Sequence, residues 1–408
     1  MTSPPETIIV VGAGQAGGWA AKTLRDEGFA GRIVLVAEEE HPPHERPPLS
    51  KAVLSGAATP ESTHIFKPEV LSGLNLDLRR PERVTAIDRL GKSVTLANGE
   101  SLHYDRLILC TGGQARKLAV PGTDLPGVFT LRTIADALAI GSALQGEGKR
   151  LVVIGGGWIG LEVAATARKR GAQVTVVEAM GRLCERTVPE GLSAHLLALH
   201  DRNGVEIVLN GRLEELVRRS AGDLVVRLGD GREIHADVAV LGVGLVANDA
   251  VARAAGIECD NGILVDEQCR TSDGDIFAAG DVAVAPNRWT GRRMRLESWQ
   301  NAQDQGIAAA KSALGHDVRY DPLPWFWSDQ FDLNLQIFGL PAPTHRVVVR
   351  GDLASSSFLV LYLEGDQIKA AVGANAGRDL RFAKRLIEQG KRVQDEALAD
   401  PAVPLAKM

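Results

Sequence analysis

Cysteine is scarce in this chain. Its 408 residues include four, Cys110, Cys184, Cys259 and Cys269, and no two are spaced as a CxxC or CxxxxC pair. Their spacings fit no zinc or iron–sulfur site, so no metal is expected and a dithiol relay is excluded. Scattered cysteines of this kind are ordinarily small buried residues. Long apolar runs are missing too. The longest, VAVLGVGLVA, has ten residues and cannot span a bilayer, so no membrane association is expected. Neither sign of charge dominates: 46 basic against 51 acidic residues leave a net charge of −5, which makes no case for a nucleic-acid partner. Strand-like sequence, TIIVVGAG, begins at Thr7, leaving no room for a signal peptide, and a cytoplasmic protein is expected. Hydrophobic residues at 45% and charged residues at 24% describe an ordinary globular protein, long enough for two or three domains.

What the chain does have is one unit written twice. TIIVVGAGQAGGWAAKTLRDEGFAGRIVLVAEE and, from Arg150, RLVVIGGGWIGLEVAATARKRGAQVTVVEAM both read strand, glycine turn, helix, strand, acid. The glycines are Gly12, Gly14 and Gly17 in the first copy and Gly155, Gly157 and Gly160 in the second. The first of each trio makes a tight turn, the second lets the backbone approach a pyrophosphate, and the third lets helix pack on strand. The pyrophosphate then sits where free N–H groups and the helix dipole favour negative charge. Glu38 lies 21 residues after Gly17 and Glu178 lies 18 after Gly160, each placed to accept from a ribose hydroxyl. Two dinucleotides on one chain suggest that one hands electrons to the other.

Other segments break the symmetry. DRLILCTGG (105–113) reads as a buried strand running into a small-residue turn. TSDGDIFAAGDVA (271–283) reads as a strand, a Gly-Asp turn and the start of a helix, with Asp281 at the helix N-terminus, placed to accept from a ribityl chain or to cap the helix. In HPPHERPPLSKAVLSG (41–56), Arg46-Pro47-Pro48 predicts a stiff helix start, LSKAVLSG continues it, and Gly56 stops it. Lys51 then points in a defined direction. Near the end, Phe331, Leu333, Leu335 and Ile337 alternate as a half-buried strand, and RVVVRG and FLVLYLEGDQIKAAVG read as further strands with a Glu-Gly-Asp turn. Leu380, Ala383, Leu386 and Ile387 line one side of a closing helix that Gly390 ends.

GAGQAG, RPPLSK, CTGG, GGGWIGLE and FAAGD, in that order, resemble the two-dinucleotide flavoprotein disulfide reductase superfamily. With PWFWSDQFDLNLQIFGL (324–340), the chain resembles the ferredoxin and rubredoxin reductase branch, and specifically the NADH-dependent, FAD-containing reductases of bacterial oxygenase systems. The resemblance implies an α/β protein with two Rossmann-like, glutathione-reductase-like dinucleotide-binding domains and a smaller C-terminal α/β domain. It divides the chain into a flavin domain at 1–114 and 247–322, an NADH domain at 115–246 and an interface domain at 323–408.

The same resemblance assigns residues. Gly12, Gly14, Ala16, Gly17, Glu38, Arg46, Lys51, Val84, Thr111, Gly112, Arg132, Asp281 and Trp299 are implied to hold FAD, with Arg46 on the adenosine side. Gly155, Gly157, Ile159, Gly160, Glu162 and Glu178 are implied to hold NADH. A carboxylate at Glu178 accepts from a ribose 2′-OH and repels a 2′-phosphate, so NADH is expected over NADPH, although Arg182 lies close in sequence. Lys51 is implied to lie beside the flavin and to pair with Glu162, read as lying in the first turn of the second helix. There it orients Lys51 and bonds the nicotinamide carboxamide. Trp327, with Trp325 as second choice, is implied to face the flavin.

Disulfide reductases of the superfamily pass electrons to a cysteine pair just after the first repeat, where this chain has His41, Pro42, Pro43 and His44. Electrons must therefore leave the flavin directly, one at a time. The implied acceptor is a separate [2Fe–2S] ferredoxin, of Rieske or plant/adrenodoxin type, feeding an aromatic-ring dioxygenase or a cytochrome P450. Four arginines in NRWTGRRMR (287–295), and Arg378, Arg381, Lys384 and Arg385 at helical spacing, offer basic patches to an acidic partner. Rubredoxin reductase or NADH oxidase is an alternative activity, and a nicotinamide-sensing signalling flavoprotein is another. Oligomeric state is left open.

Overall fold

A computed structural model describes residues 5–219 and 222–408. The chain forms two compact units: one contains the residues up to Arg46, Pro60–Gln114 and Leu245–Pro322, the other Pro47–Thr59, Ala115–Gly244 and Leu323–Met408.

The first unit is built on a five-stranded sheet in the order Ile276–Ala278, Arg106–Leu109, Thr7–Val11, Arg32–Val36, Asp77–Arg79, parallel throughout. Its central strands, TIIVV and RIVLV, are near-continuous apolar runs, as strands covered on both faces must be. Alternate residues take alternate sides. Ile8, Val10, Ile33 and Leu35 pack with Leu24 and Ala309 from the helices Gln15–Asp26 and Trp299–Ala313. Ile9, Val11, Val34 and Val36 pack with Val84, Val94 and Leu102 of a three-stranded antiparallel layer.

The second unit repeats this plan. Its parallel sheet runs Val205–Val208, Gln173–Val177, Arg150–Ile154, Val238–Leu241, Val128–Thr130. Leu151 and Val153 face the helix Trp158–Lys169, and Val152 and Ile154 face an antiparallel layer that includes Leu216 and Val226. A second, antiparallel sheet belongs to the same unit, in the order Trp325–Gln330, Leu333–Gly339, Gln367–Ala374, Phe358–Glu364, Arg346–Gly351. Leu333, Leu335, Ile337, Phe358 and Val360 share one apolar cluster with Ala164, Ala167, Leu196 and Leu199. The helix Gly377–Gln389 buries Leu380, Ala383, Leu386 and Ile387 and stops at Gly390, whose φ of 59° is the left-handed closure expected there.

Four sequence readings need correction. Residues 47–59 belong to the second unit and not with the rest of 1–114: Leu49 and Val53 join Ile134 and Ala137, and Leu54 joins the cluster around Leu161 and Ala164. The helix predicted there is broken at Lys51. A 3-10 turn, Pro47–Ser50, precedes a short helix, Ala52–Ser55. The Ser50 carbonyl accepts from the Thr166 hydroxyl at 2.7 Å, drawing it off the helical pattern, and Lys51 takes φ −124°, ψ −104°. No helix follows Asp281. The chain turns at Gly280 (φ 82°) and runs into a strand, Ala283–Asn287, which finds pairing partners at Ile263–Leu264 and Arg292–Met294. Phe331 is not in a strand. It sits at φ 54° in the two-residue turn between Gln330 and Leu333, where Lys169 Nζ donates to its carbonyl at 2.8 Å.

Candidate active site

Both glycine trios meet the geometric demands of a dinucleotide cradle. At Gly12 (φ 103°) a Cβ would fall 2.2 Å from the Cys110 carbonyl oxygen, and at Gly155 (φ 110°) it would fall 2.4 Å from that of Gly242. A Cβ on Gly17 would lie 1.8 Å from the Gly12 oxygen, and one on Gly160 would lie 2.1 Å from the Gly155 oxygen. The middle glycines differ: a Cβ on Gly14 or Gly157 would meet nothing within 4 Å. These two cap the helices Gln15–Asp26 and Trp158–Lys169 without a side-chain cap, so the first-turn N–H groups face open space. That open rim of donors at a helix N-terminus fits a pyrophosphate in each unit.

The second acid is firmly held. Glu178 accepts the Gly156 N–H at 2.6 Å and the Met180 N–H at 2.8 Å, which fixes its carboxylate beside the glycine rim. Arg182 does not stand ready for a phosphate. Its guanidinium donates to the carbonyls of Val188 and Glu185 and to the Ser193 hydroxyl. Ile159 is 47% exposed on the first turn, an apolar surface next to Gly157. Glu38 is exposed just beyond the strand Arg32–Val36.

The remaining flavin-side candidates in the first unit fall into four kinds. Ala16 is buried where small residues let elements meet: Cβ atoms on Gly280 and Gly306 would lie 3.0 Å from its Cβ and 2.3 Å from its carbonyl oxygen. Val84 is 7% exposed within the apolar cluster behind the sheet. Thr111 donates to the Asn248 carbonyl at 2.8 Å, and Gly112 has φ 60°. The others are polar and half-buried. Asp281 offers its carbonyl to Arg295, and Trp299 Nε1 donates to Glu45 at 2.7 Å. Arg46 pairs with Glu39 at 2.8 Å, and His44 Nε2 stands 3.5 Å from the same carboxylate. Burial alone would raise the Glu39 carboxyl, but His44 and Arg46 outweigh it and hold the group down at about 2. Arg132 is in the second unit, its backbone N–H bonded to Asp136 ahead of the helix Ile134–Ala143.

The second unit brings Lys51 and Glu162 together. Lys51 Nζ lies 2.6 Å from Glu162 Oε2, and it also reaches the Pro47 carbonyl at 3.3 Å. Glu162 is only 3% exposed and lies in the second turn of its helix, five residues past the Gly157 cap, not in the first. The helix dipole fades beyond the first turn, so specific donors hold this buried charge. Ser50 Oγ donates to Oε2 at 2.5 Å and Ser328 Oγ donates to Oε1 at 2.7 Å. Neither serine was found from the sequence. The usable signal was Ser328 and Gln330, a polar pair two apart in the strand WFWSDQ, hence on one face.

Trp327 occupies the opposite face of that strand. Its ring stacks on Trp325 with centroids 5.0 Å apart and an interplanar angle of 19°, and its Nε1 donates to Asp329 at 3.2 Å. Trp325 stacks in turn near Phe338, over which Lys384 Nζ is placed at 5.4 Å. The arginines of NRWTGRRMR are largely engaged: Arg288 pairs with Asp321, Arg295 with Glu297, and Arg293 donates to the Val265 carbonyl. Arg378, Arg381 and Arg385 are exposed along the outer side of the helix Gly377–Gln389, with Arg385 also donating to the Ala406 carbonyl at 3.4 Å.

The thiols are quiet. All four cysteines are free, and three are buried. Burial pushes the Cys110 and Cys184 thiols up to about 12 and that of Cys269 higher still. Among the described residues no helix is long and apolar enough to cross a membrane.

The pyridine nucleotide-disulphide oxidoreductase family matches residues 6–306, and the reductase C-terminal family matches residues 325–408. The ferredoxin–NAD(+) reductase component of the anthranilate 1,2-dioxygenase system of Burkholderia cepacia is 41% identical over 401 residues, 98% of each chain. Putidaredoxin reductase of Pseudomonas putida is 38% identical, over 99% of this chain and 96% of its own. The crystal structure of a covalent putidaredoxin reductase–putidaredoxin complex matches with a TM-score of 0.95 at 38% identity, over 98% of this chain and 97% of that one.

Proposed function

The chain belongs to the pyridine nucleotide-disulphide oxidoreductase family, and from that premise we propose that it is the NADH-dependent reductase of an oxygenase system, delivering electrons to a [2Fe–2S] ferredoxin. FAD held at the Gly12–Gly17 rim would supply a centre able to accept hydride from NADH and to release electrons singly. The observation that carries the reading is the doubled glycine cradle on a chain whose thiols are free, mostly buried and held protonated. With no dithiol to receive them, electrons go to another molecule.

Residue roles follow. Gly14 and Gly157 leave room for the two pyrophosphates. Glu178 accepts from a ribose diol and, with Arg182 turned to backbone carbonyls, selects NADH. Lys51 is a fixed cation, oriented by Glu162, that favours negative charge on the reduced ring. Glu162 accepts from Ser50, Lys51 and Ser328 and keeps one acceptor position, which is assigned to the nicotinamide carboxamide. Trp327 lies on the route out, and the exposed arginines of the helix Gly377–Gln389 attract an acidic ferredoxin. Ferredoxin reductase components among the relatives support the partner class. Free cysteines support work in the reducing cytoplasm.

The test is anaerobic. Purified holoprotein is reduced with NADH, a [2Fe–2S] ferredoxin is added, and both chromophores are followed. Bleaching of the flavin followed by its reoxidation as the cluster is reduced is the expected result. Bleaching without transfer to ferredoxins of either type would overturn the acceptor assignment and favour an oxidase.

A further inference from the structure

Behind Glu162 runs a chain of side chains that the proposed reaction does not use. Ser328 is fully buried and donates to Glu162 Oε1 at 2.7 Å. Gln330 Nε2 donates to Ser328 Oγ at 3.0 Å, and Gln330 Oε1 stands 2.9 Å from His200 Nε2. Gln330 and His200 are 1% and 0% exposed.

The direction of every proton in this chain is fixed by its ends. A carboxylate accepts only, so the Ser328 hydroxyl must give its hydrogen to Oε1. Its oxygen can then only accept, and it takes the Gln330 amide hydrogen. The amide oxygen of Gln330 consequently faces His200, so Nε2 carries the ring hydrogen. His200 Nδ1 is left bare, buried and without a hydrogen-bond partner among the described residues. Burial holds the ring neutral, partly offset by the bond to Gln330. All dipoles therefore point at Oε1, and such aligned bonds strengthen one another.

We propose that Ser328, aligned by Gln330 and His200, is a positioning residue for the Lys51–Glu162 pair. The strand Trp325–Gln330 then does two jobs, with its tryptophans on one face and the support of Glu162 on the other. With Oε1 tied to Ser328, the carboxylate cannot rotate, and Oε2 stays with Ser50 and Lys51. Without that tie, Glu162 can turn and the ammonium loses its fixed direction. A serine that only satisfied the strand's own packing would leave Lys51 untouched.

The proposal rests on the reading of Lys51 given above, and two measurements on the holoprotein separate them. The first needs no nicotinamide: trace acetylation of surface amines, with the Lys51 peptide quantified by mass spectrometry. Ser328→Ala is expected to raise labelling of Lys51 about fivefold relative to the other lysines. Gln330→Leu, which cuts the chain behind Ser328 while keeping bulk, is expected to raise it by a smaller factor. The second is flavin reduction by NADH in anaerobic stopped flow. Ser328→Ala is expected to lower the limiting rate at saturating NADH about tenfold. Unchanged Lys51 labelling in both variants would overturn the role of Ser328, whatever the rates. A Lys51→Ala variant that is reduced as fast as wild type would overturn the reading of Lys51 and leave the labelling result to judge Ser328 alone.

Discussion

Gly17 lies so close to Gly12 that a Cβ on it would fall 1.8 Å from the Gly12 carbonyl oxygen, whereas Gly14, between them, faces open space. One glycine thus serves packing and its neighbour serves a ligand, and substitution should separate the two. Gly17→Ala has no room and is expected to cost about 3 kcal/mol or more of stability, or to prevent folding. Gly14 has φ −76°, which alanine adopts freely, so Gly14→Ala should change stability by less than about 1 kcal/mol. It should nonetheless purify with little flavin. Thermal melts beside the visible absorbance of each variant provide the check. A Gly14→Ala protein with full flavin would mean that the open rim is not the pyrophosphate site.

Glu178 is expected to set the choice of nicotinamide cofactor. Removing a charged acceptor held by two backbone N–H groups should lower kcat/KM for NADH about 10- to 100-fold in Glu178→Ala. NADPH should gain little, because Arg182 is committed to Val188, Glu185 and Ser193. Steady-state kinetics with both cofactors decide it. A Glu178→Ala enzyme that prefers NADPH would show that Arg182 can leave its carbonyl partners.

The parts of this molecule that were legible in the sequence are those in which a single residue does a job that spacing alone states. The glycine trios, the acid Glu178 and the face Leu380, Ala383, Leu386, Ile387 are local, and local periodicity finds them. Glu162 and Lys51 are 111 residues apart, and only a resemblance joined them. Ser328, 166 residues from Glu162, had no local signature beyond Gln330, two residues on along the same face of the strand. Two of the misreadings have different causes. The run after Asp281 is short and apolar, and strand or helix was decided by partners distant in sequence, at Ile263–Leu264 and Arg292–Met294. Phe331 fitted the alternation of its neighbours, yet the tight turn to Leu333 took it out of the strand.

The exposed arginines of the closing helix should govern the encounter with ferredoxin and nothing earlier. Arg381→Glu with Arg385→Glu is expected to raise KM for an acidic ferredoxin about tenfold at low salt. The wild-type dependence on ionic strength should flatten in the variant. Flavin reduction by NADH, measured without ferredoxin, should be unaffected. If the double variant turns over ferredoxin as well as wild type, the docking face lies elsewhere.

Glu39 ties the flavin-side candidate Arg46 to the acid stability of the first unit. Its carboxyl is held at about 2, below its ordinary 4.5, against the opposing effect of burial. A depressed carboxyl contributes stability that is fully present above its unfolded value and is lost as pH falls through the folded one. The window here is therefore from about pH 4.5 down to about 2. The shift corresponds to a ceiling of about 3 kcal/mol, reduced by the partial exposure of the group. Glu39→Gln removes the titration and keeps the shape. Urea unfolding of wild type and variant at intervals from pH 6 to pH 3 should show a difference that is largest near pH 6 and shrinks on acidification. A constant difference would mean that the cost of Glu39→Gln is packing around His44 and Arg46, with no contribution from the charge.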